Sequence, residues 1–119
     1  MASILIVDDE PLMRRNLKML LSRNGYQTAE ASDGLEALNV VQQSKFDLVI
    51  TDYKMPGMDG LEFARAVHVE QPNLPVFMVT AFLGDDIEKA ALQYGVKALM
   101  TKPVVLEELL QKVRQMVAS

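Results

Sequence analysis

Short apolar runs recur along this chain, each ending on a polar or charged residue and each followed by a stretch with helical spacing. Ser3 to Val7 reads SILIV and leads into Asp8 and Asp9, Phe46 to Thr51 leads into Asp52, Pro75 to Val79 leads into Thr80, and Val96 to Met100 leads towards Lys102 and Pro103. A strand buried on both faces reads as a continuous apolar run rather than an alternating one, and parallel strands need a crossover between them, usually a helix. The pattern therefore confines the chain to an open parallel sheet with right-handed crossovers and helices on both faces.

The intervening stretches supply those helices. Pro11 suits a first helical turn, and Met13, Leu17, Leu20 and Leu21 follow at i, i+4, i+7 and i+8 until Gly25 ends the helix. Tyr26 to Ala31 alternates loosely and predicts a short second strand. Asp33-Gly34 opens a second helix with Ala37, Leu38 and Val41 inward, and Gly60 to Glu70 places Phe63 and Val67 on one side. Asp85 to Tyr94 aligns Ile87, Ala91 and Tyr94 before Gly95, and a last helix carries Leu106, Leu109, Leu110, Val113 and Val117. Five strands and five helices predict an α/β three-layer sandwich on a five-stranded parallel sheet. With 119 residues, 50% hydrophobic and 24% charged, and with no linker or low-complexity segment, residues 1–119 read as a single domain.

Composition removes several function classes. No run approaches the roughly 18 apolar residues that span a bilayer, and the first strand follows Met1 too closely for a signal peptide, so a cytoplasmic protein is expected. The absence of cysteine removes disulfides, thiol catalysis and cysteine metal sites. A net charge of −4 argues against a nucleic-acid or anionic-membrane surface, both of which need a basic footprint. Neither GxxxxGK[ST] nor GxGxxG occurs, which argues against a GTPase or a dinucleotide enzyme.

Open parallel sheets carry their ligand sites at the carboxyl ends of the strands, where Asp8, Asp9, Asp52, Thr80 and Lys102 fall. Alone, Asp8 and Asp9 read equally well as a helix cap. Joined by Asp52, they form a cluster of like charges that raises at least one pKa unless a cation sits among them. Hard oxygen donors favour Mg2+ or a similar divalent ion, held through one or two carboxylates plus phosphate oxygens. Lys102 adds a positive charge and Thr80 a hydroxyl able to donate to a phosphoryl oxygen. Taken singly, Lys102 also reads as a solvated surface lysine and Thr80 as an ordinary strand residue. Pro103 admits a cis peptide after Lys102.

The segments VDDE at 7–10, DYKMPGMDG at 52–60, VTA at 79–81 and TKP at 101–103 follow one another in an order and spacing that resembles the receiver domain of two-component response regulators. The resemblance covers essentially the whole chain and implies a flavodoxin-like strand order 2-1-3-4-5. It implies that Asp52 is the phosphoacceptor, attacking a phosphohistidine of a histidine kinase or phosphotransfer protein to give an acyl phosphate. It implies Mg2+ (or Mn2+) bound by Asp9, Asp52 and the backbone carbonyl of Lys54, with Asp8 acting through water, and Lys102 paired with phosphoryl oxygens. Thr80 then switches partner binding through the helix 4 and strand 5 face, and Ala81 is small enough to leave the acceptor open. Further partners implied are a downstream protein target or an effector domain not in this chain, and a phosphorylation-dependent dimer. Such a protein is a signalling module rather than a conventional enzyme.

Several positions depart from the family pattern. Leu99 stands where many receivers carry a switch aromatic, and Val104 where many carry phenylalanine. Val96-Lys97-Ala98 lacks the acidic residues of receivers that dimerise for DNA-binding regulators, which counts against that dimer mode. Lys54 and Phe82 flank the site and are expected to shield an acyl phosphate from water. The eight methionines read as flexible core filler rather than a recognition surface, with Met55 and Met58 near enough the site to be candidate partner contacts, whereas His68 has no evident ligand partner. Two rival functions are a pseudo-receiver scaffold, which Leu99 keeps open, and a Mg2+-dependent phosphohydrolase of small molecules. Against the second stands the lack of a separate general acid or base.

Overall fold

The computed structural model of the chain describes residues 1–81 and 83–117. Strands and helices alternate strictly: β1 (Ser3–Val7), α1 (Pro11–Arg23), β2 (Gln27–Ala31), α2 (Gly34–Gln43), β3 (Leu48–Thr51), α3 (Gly60–Glu70), β4 (Val76–Thr80), α4 (Asp85–Gln93), β5 (Val96–Thr101) and α5 (Leu106–Val117). The five strands form one parallel sheet in the order β2-β1-β3-β4-β5, as the sequence pattern and the family resemblance predict.

Alternate residues of the inner strands enter two separate cores. Leu5, Val7, Val49, Val76 and Met78 point to the face covered by α2, α3 and α4, where they meet Ala37, Val41, Phe63, Val67 and Ala91. Ile4, Ile6, Leu48, Ile50, Phe77 and Val79 point to the opposite face and pack on Leu17 and Leu21 of α1 and Leu109, Leu110 and Val113 of α5. Because both faces are apolar there, β1, β3 and β4 each read as a nearly continuous hydrophobic run. Removing one of the fully buried rings, such as Phe77, leaves a cavity worth about 3–5 kcal/mol.

Helix starts follow side-chain chemistry. Asp33 accepts the Glu36 backbone N–H at 2.9 Å and Asp59 accepts that of Glu62 at 2.9 Å, so the aspartates of both DG pairs are N-caps. Some sequence expectations shift. The third strand begins at Leu48 rather than Phe46, because pairing with β1 begins at Ile4 opposite Leu48. Leu106, in phase with the α5 core stripe, is 43% exposed, since phase assigns a face and not a neighbour to cover it. Met55 is buried in the α2–α4 core and Met58 is partly buried against it, as core-filling methionines are. No helix among the described residues is long and apolar enough to cross a membrane.

Candidate functional site

Parallel pairing brings the carboxyl ends of β1, β3, β4 and β5 to one edge of the sheet. There the chain leaves its ladder at Asp8, Asp52, Thr80 and Lys102. Asp8, Asp52 and Thr80 are buried, and among the described residues the two aspartates are the only buried charged ones.

Each side chain is oriented locally. Asp52 accepts the backbone N–H of Tyr53 at 2.7 Å on Oδ1, which leaves Oδ2 for Lys102 at 3.0 Å. The Thr51 hydroxyl donates to the Asp52 carbonyl at 2.9 Å. Asp8 accepts the backbone N–H of Glu10 at 2.9 Å on Oδ1 and faces Lys102 through Oδ2 at 3.2 Å, while the Arg14 guanidinium donates to its carbonyl. Lys102 is tethered by its own backbone, whose N–H donates to the Thr80 carbonyl at 2.8 Å, and its peptide bond to Pro103 is cis. Behind Asp52, Gly60 donates to the Tyr53 carbonyl at 2.6 Å, closing the β3–α3 loop against the site.

Charge and burial set the protonation states. Burial pushes the Asp8 carboxyl above its ordinary 3.8, against the Glu10 N–H and the Lys102 charge, which both favour the ionised form; the neighbouring Asp52 charge adds to the rise. Burial alone pulls the Lys102 ammonium down, but its hydrogen bond to Asp52 and the charges of Asp8 and Asp52 overcome this and hold it above the usual lysine range. The lysine is therefore charged at neutral pH.

Of the acidic residues singled out in the sequence, the fold joins Asp8 and Asp52 directly. Asp9 occupies the same β1–α1 turn but is exposed, and its carboxylate lies outside the tight group. Glu10 takes the third place: one carboxylate oxygen from each of Asp8, Glu10 and Asp52 lies within 4.8 Å of the others. Nothing in the spacing assigned Glu10 a role, although its place beside two aspartates and before Pro11 was a usable signal. Lys54 is exposed two residues after Asp52, and Phe82 lies outside the described residues. Leu99 is half-buried and packs against the α2–α4 core, and Val104 packs on the α1–α5 side. His68 is exposed on α3, with its ring beside Gly95.

The response regulator receiver domain family matches residues 4–114. The chain is 43% identical over 115 residues to the chemotaxis protein CheY of Pseudomonas aeruginosa, covering 94% of this chain and 93% of that one. It is 39% identical over 111 residues to the response regulator MprA of Mycobacterium sp. (strain KMS), covering 93% of this chain and 48% of MprA, so it spans about half that relative's length. Among solved structures, the response regulator TrrA from Thermotoga maritima in complex with Mg2+-BeF superposes with a TM-score of 0.89 at 33% identity, covering 98% of this chain and 99% of that one.

Proposed function

This chain belongs to the response regulator receiver family of two-component signalling, and from that membership we propose that Asp52 accepts a phosphoryl group from a phosphohistidine of a histidine kinase or phosphotransfer protein. The observation that carries this reading is Asp52 itself: a buried carboxylate oriented on one oxygen by the Tyr53 N–H and matched on the other by the Lys102 ammonium at 3.0 Å. A carboxylate oxygen of Asp52 attacks phosphorus, the P–N bond of the donor breaks, and its electron pair stays on the imidazole nitrogen, leaving an acyl phosphate on Asp52. Lys102 then pairs with the new phosphoryl oxygens. Phosphoryl transfer asks mainly for positioning and charge neutralisation, which these groups supply without a separate acid or base.

The donor set also fits a hard divalent cation, because Asp8 and Asp52, with Asp9 in the same turn as Asp8, offer only oxygen. In this reading Asp9, Asp52 and the Lys54 backbone carbonyl would hold Mg2+ (or Mn2+), with Asp8 acting through water. The ion supplies charge neutralisation at the phosphoryl oxygens. The Mg2+-BeF complex of TrrA supports the choice of ion.

Output runs through Thr80, buried at the end of β4 and joined to β5 through its carbonyl. Its hydroxyl moves towards the phosphoryl group and biases the α4–β5 face, where Leu99 repacks instead of an aromatic ring. A shift from 1:99 to 99:1 between two states needs about 5.5 kcal/mol of differential stabilisation, so each pocket contact counts. We read residues 1–119 as one receiver domain acting on a downstream protein target or an attached effector.

Intact mass after incubation with Mg2+ and acetyl phosphate, beside Asp52→Asn, tests the assignment. Gain of one hydroxylamine-labile phosphoryl group by the native chain alone is expected. No gain by folded native protein, or equal gain by the variant, overturns it.

A further inference from the structure

The N-cap of α1 is Glu10, with extended backbone and no capping hydrogen bond from its side chain. Asp33 and Asp59, at the starts of α2 and α3, both cap. The Glu10 carboxylate instead turns to Lys102, with Oε1 3.3 Å from Nζ. Lys102 thus faces three carboxylates: Asp52 at 3.0 Å, Asp8 at 3.2 Å and Glu10 at 3.3 Å. An ammonium has three N–H donors, so an arriving phosphoryl group must take at least one from a carboxylate.

The three partners are not equally replaceable. The side chains of Asp8 and Asp52 are 5% and 9% exposed, and losing Lys102 leaves them with little water to turn to; that of Glu10 is 65% exposed and is hydrated as soon as it lets go. Its starting point is held nonetheless, by the Glu10 N–H on Asp8 and by Pro11 at the first helical position.

We propose that Glu10 is a positioning residue, a solvent-facing counter-ion that holds Lys102 over the unphosphorylated site and yields it to the phosphoryl oxygens, so that it sets how readily the site takes an anionic phosphodonor. The proposal rests on the receiver reading above. An exposed ion pair is weak, so its removal changes donor affinity by a small factor.

The test is Glu10→Gln, assayed by intact mass over a series of acetyl phosphate concentrations at saturating Mg2+. The half-saturating concentration is expected to fall about two- to five-fold with the maximal rate unchanged, the pattern of altered uniform binding. In a Lys102→Ala background the same substitution is expected to do nothing. In metal-free protein, the 1H–13C signal of the Lys102 ε-methylene should move in Glu10→Gln and stay in place in Glu88→Gln, which changes an exposed carboxylate on α4. An unchanged half-saturating concentration, an unmoved Lys102 signal, or an equal fall in the Lys102→Ala background overturns the role of Glu10. A native chain that gains no phosphoryl group overturns the receiver reading and this proposal with it, and is told apart by the absence of any mass gain.

Discussion

The ammonium of Lys102 lies 3.0 Å from Oδ2 of Asp52, although 50 positions separate the two residues along the chain. The same nitrogen contacts Asp8, 94 positions away. One lysine at the end of β5 therefore balances two buried carboxylates from β1 and β3, and the stability of this edge of the sheet depends on it.

Lys102→Ala leaves Asp8 and Asp52 buried and facing one another without their cation. Leaving a buried charged group without its partner costs about 1–3 kcal/mol or more, and partial access to water keeps this site near that range. A lower urea midpoint with an unchanged m-value in metal-free buffer is the expected result. The variant should still take up some phosphoryl group, with a blunted response in the amide spectrum of α4 and β5. A full response would contradict the role given to Lys102.

Asp8 titrates in the opposite sense to a stabilising carboxylate. Its folded pKa is raised above 3.8, so the native state holds this proton more tightly than the unfolded chain does. The associated stability is present below pH 3.8 and is lost as pH rises through the folded value. At neutral pH the ionised Asp8 therefore weakens the metal-free fold, and Asp8→Asn should melt higher than the native protein at pH 7. Thermal melts from pH 3 to 8 should show that advantage closing as pH falls. A variant that melts lower at pH 7 would refute this.

Gly60 carries no side chain because β3 and its loop occupy the space. A Cβ there would overlap the Asp52 carbonyl oxygen and approach the Tyr53 Cα to 2.8 Å, and backbone atoms cannot swing aside. Gly60→Ala should cost about 3 kcal/mol and displace the phosphoacceptor loop. Chemical denaturation together with the Tyr53 amide shift checks both effects, and a loss under 1 kcal/mol would show that the loop yields.

Gly95 combines two separate constraints. Its φ is +85°, and a Cβ would come within 2.6 Å of the His68 ring. Gly95→Ala should lose about 2–3 kcal/mol, and His68→Ala in the same chain should recover the steric part while about 1 kcal/mol of backbone cost remains. A double-mutant cycle measures the coupling. Strict additivity would mean that the ring moves away unaided.

Much of this was legible in the chain. SILIV and the Gly60–Glu70 period place β1 and α3 at the bounds observed. The DG pairs at 33 and 59 announce two N-caps, because a short carboxylate satisfies the free N–H groups of a first turn from its own local position. Where β3 begins was not legible, since its ladder starts where β1 offers a partner. Nor was the exposure of Leu106, since periodicity names a face without saying what lies opposite.

The sequence by itself determined everything that depends on neighbours a few residues apart: the strand and helix alternation, the caps, and the placing of a polar residue at the end of each buried strand. Only the tertiary structure decided which of those polar groups meet. Parallel register sets the ends of β1 and β3 side by side, and the pairing of β4 with β5 carries Lys102 to them. That convergence puts Glu10 rather than Asp9 against the lysine, and it buries Asp8 deeply enough to move its pKa. Hydrogen bonds and desolvation act over a few ångströms, and distances that short between residues 50 or 94 positions apart exist only once the sheet has formed.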